Sequence, residues 1–269
     1  MDLALRDQVA VVVGAAQGLG RAIASAFAAE GAIVALVDRD AAVHQAAAEL
    51  SAGAVARAEA FVADVTDYPA LRTLAEEVRR RFGRCDHVVN AAGVGSGKFG
   101  FPFWNLEPSD WDRVVRVNLI GSANVAHAFA PAMAEARSGT MLFIASIAGQ
   151  IGSQTDPPYS AAKAGTINFA QCAAKDLAPY GVRVNTLCPG MVRTTLNRAV
   201  WESWSAQQPE AERQSYDDWA GEKIRRLVPL GRWQEPEDIA AMAVFLASAR
   251  AKNVNGQTIN VDGGFVMHW

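Results

Sequence analysis

The chain has 269 residues, 51% hydrophobic and 20% charged, and its 25 basic and 28 acidic side chains leave a net charge of −3. That length suits one large α/β domain or two small ones, and the apolar fraction excludes a disordered chain. The slightly acidic balance, with no basic stripe, speaks against a nucleic-acid partner, and no uncharged apolar run approaches the ~18 residues that would span a membrane.

Cys85, Cys172 and Cys188 are odd in number and lack C-x-x-C spacing. They exclude a disulfide framework and a structural zinc site, and read as reduced, buried thiols. Residues 1–7 lack the basic-then-apolar order of a signal peptide. The expectation is a soluble, cytoplasmic protein with no metal.

Residues 8–13 form a short β-branched run that reads as a buried parallel strand. It ends in Gly14-Ala15-Ala16-Gln17-Gly18-Leu19-Gly20, followed by a helical stretch at 21–30 and a stop at Gly31. Glycines at such a turn let the backbone approach a pyrophosphate, which then rests on the helix N-terminal amides. The plainer alternative is a tight turn. A second apolar strand, 33–37, ends at Asp38, 18 residues beyond Gly20. A carboxylate there can accept both hydroxyls of an adenosine ribose and repel a 2′-phosphate. It can equally cap the next helix, 41–50. Arg39 has the charge to hold a 2′-phosphate, but the glycine loop adds no second basic residue, so Asp38 favours NAD over NADP.

A third strand near 60–63 leads into Asp64-Val65, and a helix at 70–82 stops at Gly83. Strand 87–90 runs into Asn90-Ala91-Ala92-Gly93, whose small residues suit passage beneath a flat ligand or ordinary close packing. This βαβ rhythm predicts an open parallel sheet with helices on both faces, in a single domain. The 94–109 loop carries Phe99, Phe101, Phe103 and Trp104, which either line a pocket mouth or pack on the outer helices. Asn118 falls inside a helix predicted at 111–130, where an asparagine faces solvent or bonds back to its own turn. Strand 141–145 brings Ser146 to its carboxyl end, the edge where open α/β sheets hold ligands.

Tyr159-Ser160-Ala161-Ala162-Lys163 leads into a long alanine-rich helix at 161–177. Tyr159 and Lys163 lie about one turn apart and project from one face. A free phenol, with a pKa of about 10, shuttles protons poorly at neutral pH, and a neighbouring ammonium lowers that value. After strand 182–187 and Cys188-Pro189-Gly190, roughly forty residues intervene before the helix at 236–246. They hold Trp201, Trp204 and Trp219, spread among charges instead of forming a core stripe. Connections of this length are lids or binding loops, so a substrate lid is expected at about 191–228. The last strand, 257–261, closes with Asp262-Gly263-Gly264 and the apolar tail Phe265-Val266-Met267-His268-Trp269, which suits burial between subunits.

The ordered landmarks are the glycine loop, Asp64-Val65, Asn90-Ala91-Ala92-Gly93, Asn118, Ser146, the Tyr159–Lys163 pentapeptide, and Pro189-Gly190 with Thr194. Together they resemble the short-chain dehydrogenase/reductase family, in its single-domain branch, over essentially the whole chain. Two positions depart from the family pattern: Val13 stands where threonine is usual, and Ala91 where asparagine is common. Neither removes a group the chemistry needs.

The resemblance implies a doubly wound, Rossmann-type parallel sheet of seven strands with helices on both faces. It implies that Tyr159 is the acid–base residue and that Lys163 lowers its pKa and holds the nicotinamide ribose. Ser146 would bond the substrate oxygen, and Asn118 would hold a proton-relaying water. The cofactor would rest on Gly14, Gln17, Gly18, Leu19 and Gly20, with Asp38 on its ribose and Asp64 and Val65 at the adenine. Asn90, Ala91 and Gly93 would line it further along. Val192 and Thr194 would hold the carboxamide beside Pro189 and Gly190.

The implied reaction is hydride transfer between NAD and a secondary alcohol: a polyol, sugar, hydroxy acid or aryl alcohol. One alternative is an NADPH-dependent ketoreductase, for instance of 3-oxoacyl thioesters, which Arg39 alone supports. Another is a non-catalytic dinucleotide sensor, which would have lost Tyr159 or Lys163. An enoyl reductase is not expected, because those relatives space the two residues further apart. The family also implies a homotetramer. The substrate pocket is expected from 94–103, 147–158 and the segment after Pro189, with Gln150, Gln154 and Asp156 among its polar groups.

Overall fold

The five residues of β1 (Val9–Val13) are buried without exception, because both faces of the strand are covered. Successive side chains point to opposite faces: Ala10 and Val12 enter one core, Val9, Val11 and Val13 the other. β1 pairs in parallel with β2 (Ile33–Asp38) and with β4 (His87–Asn90). In this computed structural model, which describes residues 2–53, 57–153 and 155–267, β3 (Ala58–Val62) flanks β2 at one edge. Beyond β4 follow β5 (Gly139–Ile144), β6 (Val182–Pro189) and β7 (Thr258–Val261), giving the order β3-β2-β1-β4-β5-β6-β7, parallel throughout. The chain winds outward to β3, then crosses back to start again at β4. The resulting switch point lies between the carboxyl ends of β1 and β4, where such sheets open a crevice.

One face is covered by α1 (Gly18–Ala29), α2 (Val43–Gly53) and α9 (Pro236–Ala247), through Ile23, Phe27, Ala46, Ile239 and Val244. The other is covered by α3 (Tyr68–Phe82), α5 (Gly121–Ala136) and α6 (Pro157–Leu177), through Leu71, Val78, Phe129, Met133 and Ala170. Short α4 (Ser109–Val115) precedes α5. Helix ends follow local chemistry. Asp67 caps α3 by accepting the Ala70 N–H at 3.0 Å, and Gly83 ends it in the left-handed region at φ 75°.

The structure departs from several expectations. The helix predicted at 111–130 is interrupted by a π-helical segment, Arg116–Ile120, between α4 and α5. There Asn118 Nδ2 donates to the Val114 carbonyl at 2.9 Å, where the turn is widened. The helix predicted at 161–177 starts four residues early, because Asp156 caps it and prolines occupy its first turn. Cys172 is exposed, against the expectation of three buried thiols. Phe103 and Trp104 pack edge-to-face on each other at the surface, each 68% exposed.

The long connection forms two helices, α7 (Thr195–Ala206) and α8 (Tyr216–Leu227). Its tryptophans gather: Tyr216 and Trp219 form a small core with Trp201, Trp204 and Trp233 around it. Of the apolar tail, Phe265 and Val266 pack on Ala145, Ile147 and Cys188 within the same chain, and Met267 is exposed. Its last two residues, His268 and Trp269, and the pocket candidate Gln154 lie outside the described residues. No helix among the described residues is long and apolar enough to cross a membrane.

Candidate active site

A cleft of about 480 Å³ runs along the carboxyl edge of the sheet, from the glycine loop to the α7–α8 excursion. At its first end the backbone itself is the binding surface. Gly14 sits at φ 83°, and a Cβ there would come within 2.7 Å of the Ala92 nitrogen. A Cβ on Gly20 would meet the Gly14 carbonyl at 2.0 Å. Gln17 stands at the N-cap of α1 without capping it, and no acidic side chain occupies that helix's first turn. Its N-terminal amides therefore keep their affinity for an anion. A glycine cradle against an uncapped helix start fits a dinucleotide's pyrophosphate. Leu19 and Gly18 line the same wall.

Asp38 closes β2 at the rim of the cleft. One of its oxygens accepts the Ala16 N–H at 3.0 Å and the other the Asp40 N–H at 3.0 Å. It thus braces the glycine loop and leaves lone pairs for a ligand. The turn leading into α2 uses Asp40 instead, which accepts the Ala42 N–H. Arg39 is exposed beside it and also lines the cleft. Asp64 is pushed up by partial burial, but the Thr66 amide and hydroxyl and the charge of Arg39 together hold it below its ordinary value. Val65 packs so closely on α5 that a Cβ on Gly121 would approach it to 2.6 Å.

At the other end stand Ser146, Tyr159 and Lys163. Ser146 follows β5 and accepts the Ala148 N–H at 3.1 Å. Tyr159 opens α6, where buried Asp156 accepts its backbone N–H and, at 2.8 Å, that of Ser96. One carboxylate thus fixes both the phenol-bearing turn and the loop facing it. Lys163 is 3% exposed, and its Nζ donates to the Ile144 carbonyl at 2.7 Å and lies 5.4 Å from the Tyr159 ring centre.

Burial governs both titrations. It pushes the Tyr159 phenol up to about 12, with a hydrogen bond to Ser146 opposing and Asp156 and Cys188 reinforcing the rise. It brings the Lys163 ammonium down to about 8, against a small opposing pull from Cys188. The expected lowering of the phenol by Lys163 is therefore not what this arrangement gives. The ammonium is turned to a backbone carbonyl, and desolvation prevails.

Asn90 and Asn118 stand behind the cleft wall instead of on it. Asn90 Nδ2 donates to Ser122 Oγ at 3.0 Å and its Oδ1 accepts the Ala92 N–H, which shapes the 90–93 turn. Asn118 is fully buried, and of the two expected alternatives it takes the bond back to its own turn, at Val114. Its side chain bonds both the N–H and the carbonyl of Val94, and its own carbonyl accepts the hydroxyls of Ser122 and Thr166. Ala91 and Gly93 line the cleft itself, as do Pro189, Gly190, Val192 and Thr194. Gly190 N donates to Val261 O and to Gln234 Oε1, and Thr194 caps α7.

Ile151, Asn197, Trp219, Lys223 and Leu227 line the cleft from within the segments expected to form the pocket, though none was singled out, and Phe265 joins them from the tail. Those on α7 and α8 fall inside the segment flagged for its length, but nothing in the sequence separates their inward face from a solvated one. Among the described residues no group of acidic, histidine or cysteine side chains could hold a metal.

A parallel sheet with a glycine-cradled crevice at its switch point defines the dinucleotide-binding class of α/β protein. The family model described as enoyl-(acyl carrier protein) reductase matches residues 14–266. The D-threitol dehydrogenase of Mycolicibacterium smegmatis is 35% identical over 266 residues, covering 99% of this chain and 95% of that protein. The crystal structure of an L-sorbose reductase from Gluconobacter frateurii, complexed with NADPH and L-sorbose, superposes with a TM-score of 0.90 at 27% identity, covering both chains completely. A 3-oxoacyl-[acyl-carrier protein] reductase from Brucella melitensis with bound NAD gives 0.82 at 32% identity, over 99% of this chain and 94% of that one. The chain belongs to the short-chain dehydrogenase/reductase family. It is thereby an oxidoreductase acting on CH–OH groups.

Proposed function

We propose that the protein oxidises a secondary alcohol, a polyol, sugar or hydroxy acid among them, with NAD as hydride acceptor and Tyr159 as general acid–base. The observation that carries this is that Ser146, Tyr159 and Lys163 line one cleft with a glycine cradle that fits a pyrophosphate. A nicotinamide held there would supply the hydride acceptor, and its positive charge would oppose the desolvation that keeps the phenol protonated. Ser146 orients the substrate oxygen by hydrogen bonding. In its phenolate form Tyr159 would take the hydroxyl proton while the carbinol hydrogen leaves as hydride for the coenzyme, so little charge accumulates on that oxygen as it becomes a carbonyl. With the coenzyme bound, Lys163 would turn from the Ile144 carbonyl to its ribose, and Asn118, which holds the 94-loop, would hold a proton-relaying water beside it.

The glycine loop, Asp38, Asp64, Val65, Asn90, Ala91 and Gly93 serve the coenzyme. Pro189, Gly190, Val192 and Thr194 serve its carboxamide end. Asp38, with two lone-pair sites at the rim, supports NAD over NADP. The NADPH bound to the sorbose reductase and the exposed Arg39 support a second reading, a ketoreductase running on NADPH.

The α7–α8 pair acts as a lid over the substrate in a single domain. The enzyme assembles as a cytoplasmic homotetramer, for which α6 offers an outward stripe containing Ala161, Ala164 and Cys172. Light scattering at micromolar concentration tests the mass. The purified chain, given polyols, sugars and hydroxy acids with NAD or NADP, should reduce NAD faster. A preference for NADP with ketone substrates would move the conclusion to the second reading.

A further inference from the structure

Lys223, on the inner face of α8, lines the cleft at the end away from the glycine loop. Its Nζ rests 3.9 Å from the centre of the Trp219 ring, itself buried. No carboxylate among the described residues lies within ion-pair distance of it, although the excursion is rich in acids. Each acid nearby on α8 is used elsewhere: Asp217 faces Arg193 at 3.8 Å, Asp218 bonds Ser215 Oγ at 2.6 Å, and Glu222 bonds Gln214.

The cleft's other two cations are also committed, Lys163 to the Ile144 carbonyl and Arg39 at the far end, where its charge acts on Asp64. Trp219 lies against Lys223, and Val200, Leu227 and Phe265 supply apolar surface to the same cleft, with Thr194, Thr195 and Asn197 among its polar groups. Burial, helped by Arg226, brings its ammonium down to about 8, so it is still charged at neutral pH. A half-buried cation in a largely desolvated cleft without a counter-ion within reach is costly unless a ligand supplies one. The Trp219 face compensates only in part.

Building on the proposed alcohol oxidation, the geometry points to a substrate carrying a carboxylate, held by Lys223 while its hydroxyl reaches Ser146 and Tyr159. A lone ammonium with no guanidinium fork beside it suits one carboxylate better than a phosphate dianion. Lys223 is thus a specificity residue for a hydroxy acid, and the apolar surface of the cleft takes the carbon chain.

The test compares acids with their neutral primary amides: lactate, glycerate, 3-hydroxybutyrate and gluconate, each against its amide. Binding is measured by calorimetry on the full chain with NADH present, and turnover is followed with NAD. At least one acid should bind ten-fold or more tightly than its amide. Lys223→Met should abolish that ratio, and Lys223→Arg should keep most of it. The inference is overturned if no acid is preferred over its amide, or if a preference survives Lys223→Met with an unchanged melting profile. Turnover of neutral alcohols without any acid preference would remove the carboxylate and leave the alcohol oxidation standing. An acid preference without turnover of any alcohol would do the reverse.

Discussion

Gly93 is a glycine because Asn118 and Lys163 fill the space beside it. A Cβ at Gly93 would lie 2.8 Å from Asn118 Oδ1 and 3.2 Å from Lys163 Nζ. The turn after β4, the π-segment and the start of α6 therefore meet at one point. Gly93→Ala should displace the Lys163 ammonium before it unfolds the protein, with a stability loss of about 1–3 kcal/mol typical of overpacking. Turnover should fall further than the melting temperature alone would suggest. A variant with wild-type turnover would show that the contact has no bearing on the chemistry.

Tyr159→Phe should lower turnover by a factor on the order of 10³ while leaving coenzyme affinity within about two-fold, since only the transferable proton is lost. Single-turnover hydride transfer followed at the NADH absorbance reads the first, and fluorescence titration the second. Normal transfer in this variant would remove Tyr159 from the proposed role.

Asp38→Ala removes the carboxylate from the ribose end of the cleft and leaves Arg39 in place. NAD affinity should drop about ten-fold or more, as for loss of hydrogen bonds to a charged group, and the NADP-to-NAD activity ratio should rise. The Ala16 amide loses its acceptor as well, so Asp38→Asn is the companion variant. An unchanged ratio in both would sink the assignment of coenzyme choice to this position.

Buried His87 gives a pH dependence of stability away from the site. Its Nδ1 contacts Thr140 Oγ1 at 2.8 Å and its Nε2 contacts Gln8 Oε1 at 2.6 Å. Burial brings its pKa down to about 4 from 6.5, with Asp86 opposing and Arg183 and Arg84 assisting. In the window between those two values the unfolded chain binds the proton and the folded one does not. Stability is therefore lost as pH falls through that window, by about 3 kcal/mol at its foot. Urea unfolding of His87→Gln should show a flatter slope from pH 6.5 to 4. Parallel profiles for variant and wild type would assign the acid lability to other groups.

The α7–α8 pair should open as one body, since Tyr216 and Trp219 tie the two helices together. Amides across 195–227 should exchange faster in the free protein than with NADH and a substrate analogue both bound, by about ten-fold. Equal protection in both states would make the pair a fixed wall.

The sheet was legible because a strand buried on both faces reads as a continuous apolar run, and β4 matched its predicted bounds to the residue. The glycine loop and the Tyr159–Lys163 turn were legible because local spacing alone brings their members together. The bond of Asn118 back to its own turn was among the readings offered, but its partners at residue 94 are distant in sequence and were not. The tryptophans of the excursion looked scattered because their cluster joins two helices and the Trp233 loop, and no single helical period reveals it. Tyr159 was expected to be acidified by a neighbour one turn away; where a lysine head points depends on the Ile144 carbonyl, which spacing does not encode.

The aromatic cluster of the excursion is separate from the two cores that clamp the sheet. A protein divided in this way carries its chemistry and its selectivity in different stability compartments. The contiguous stretch 195–227 can be exchanged for another of similar span without disturbing the strand pairing on which the reactive groups depend. If the proposed lid and Lys223 set the substrate, scope would be adjustable within this stretch, with the lining from 147–156 and Phe265 left in place.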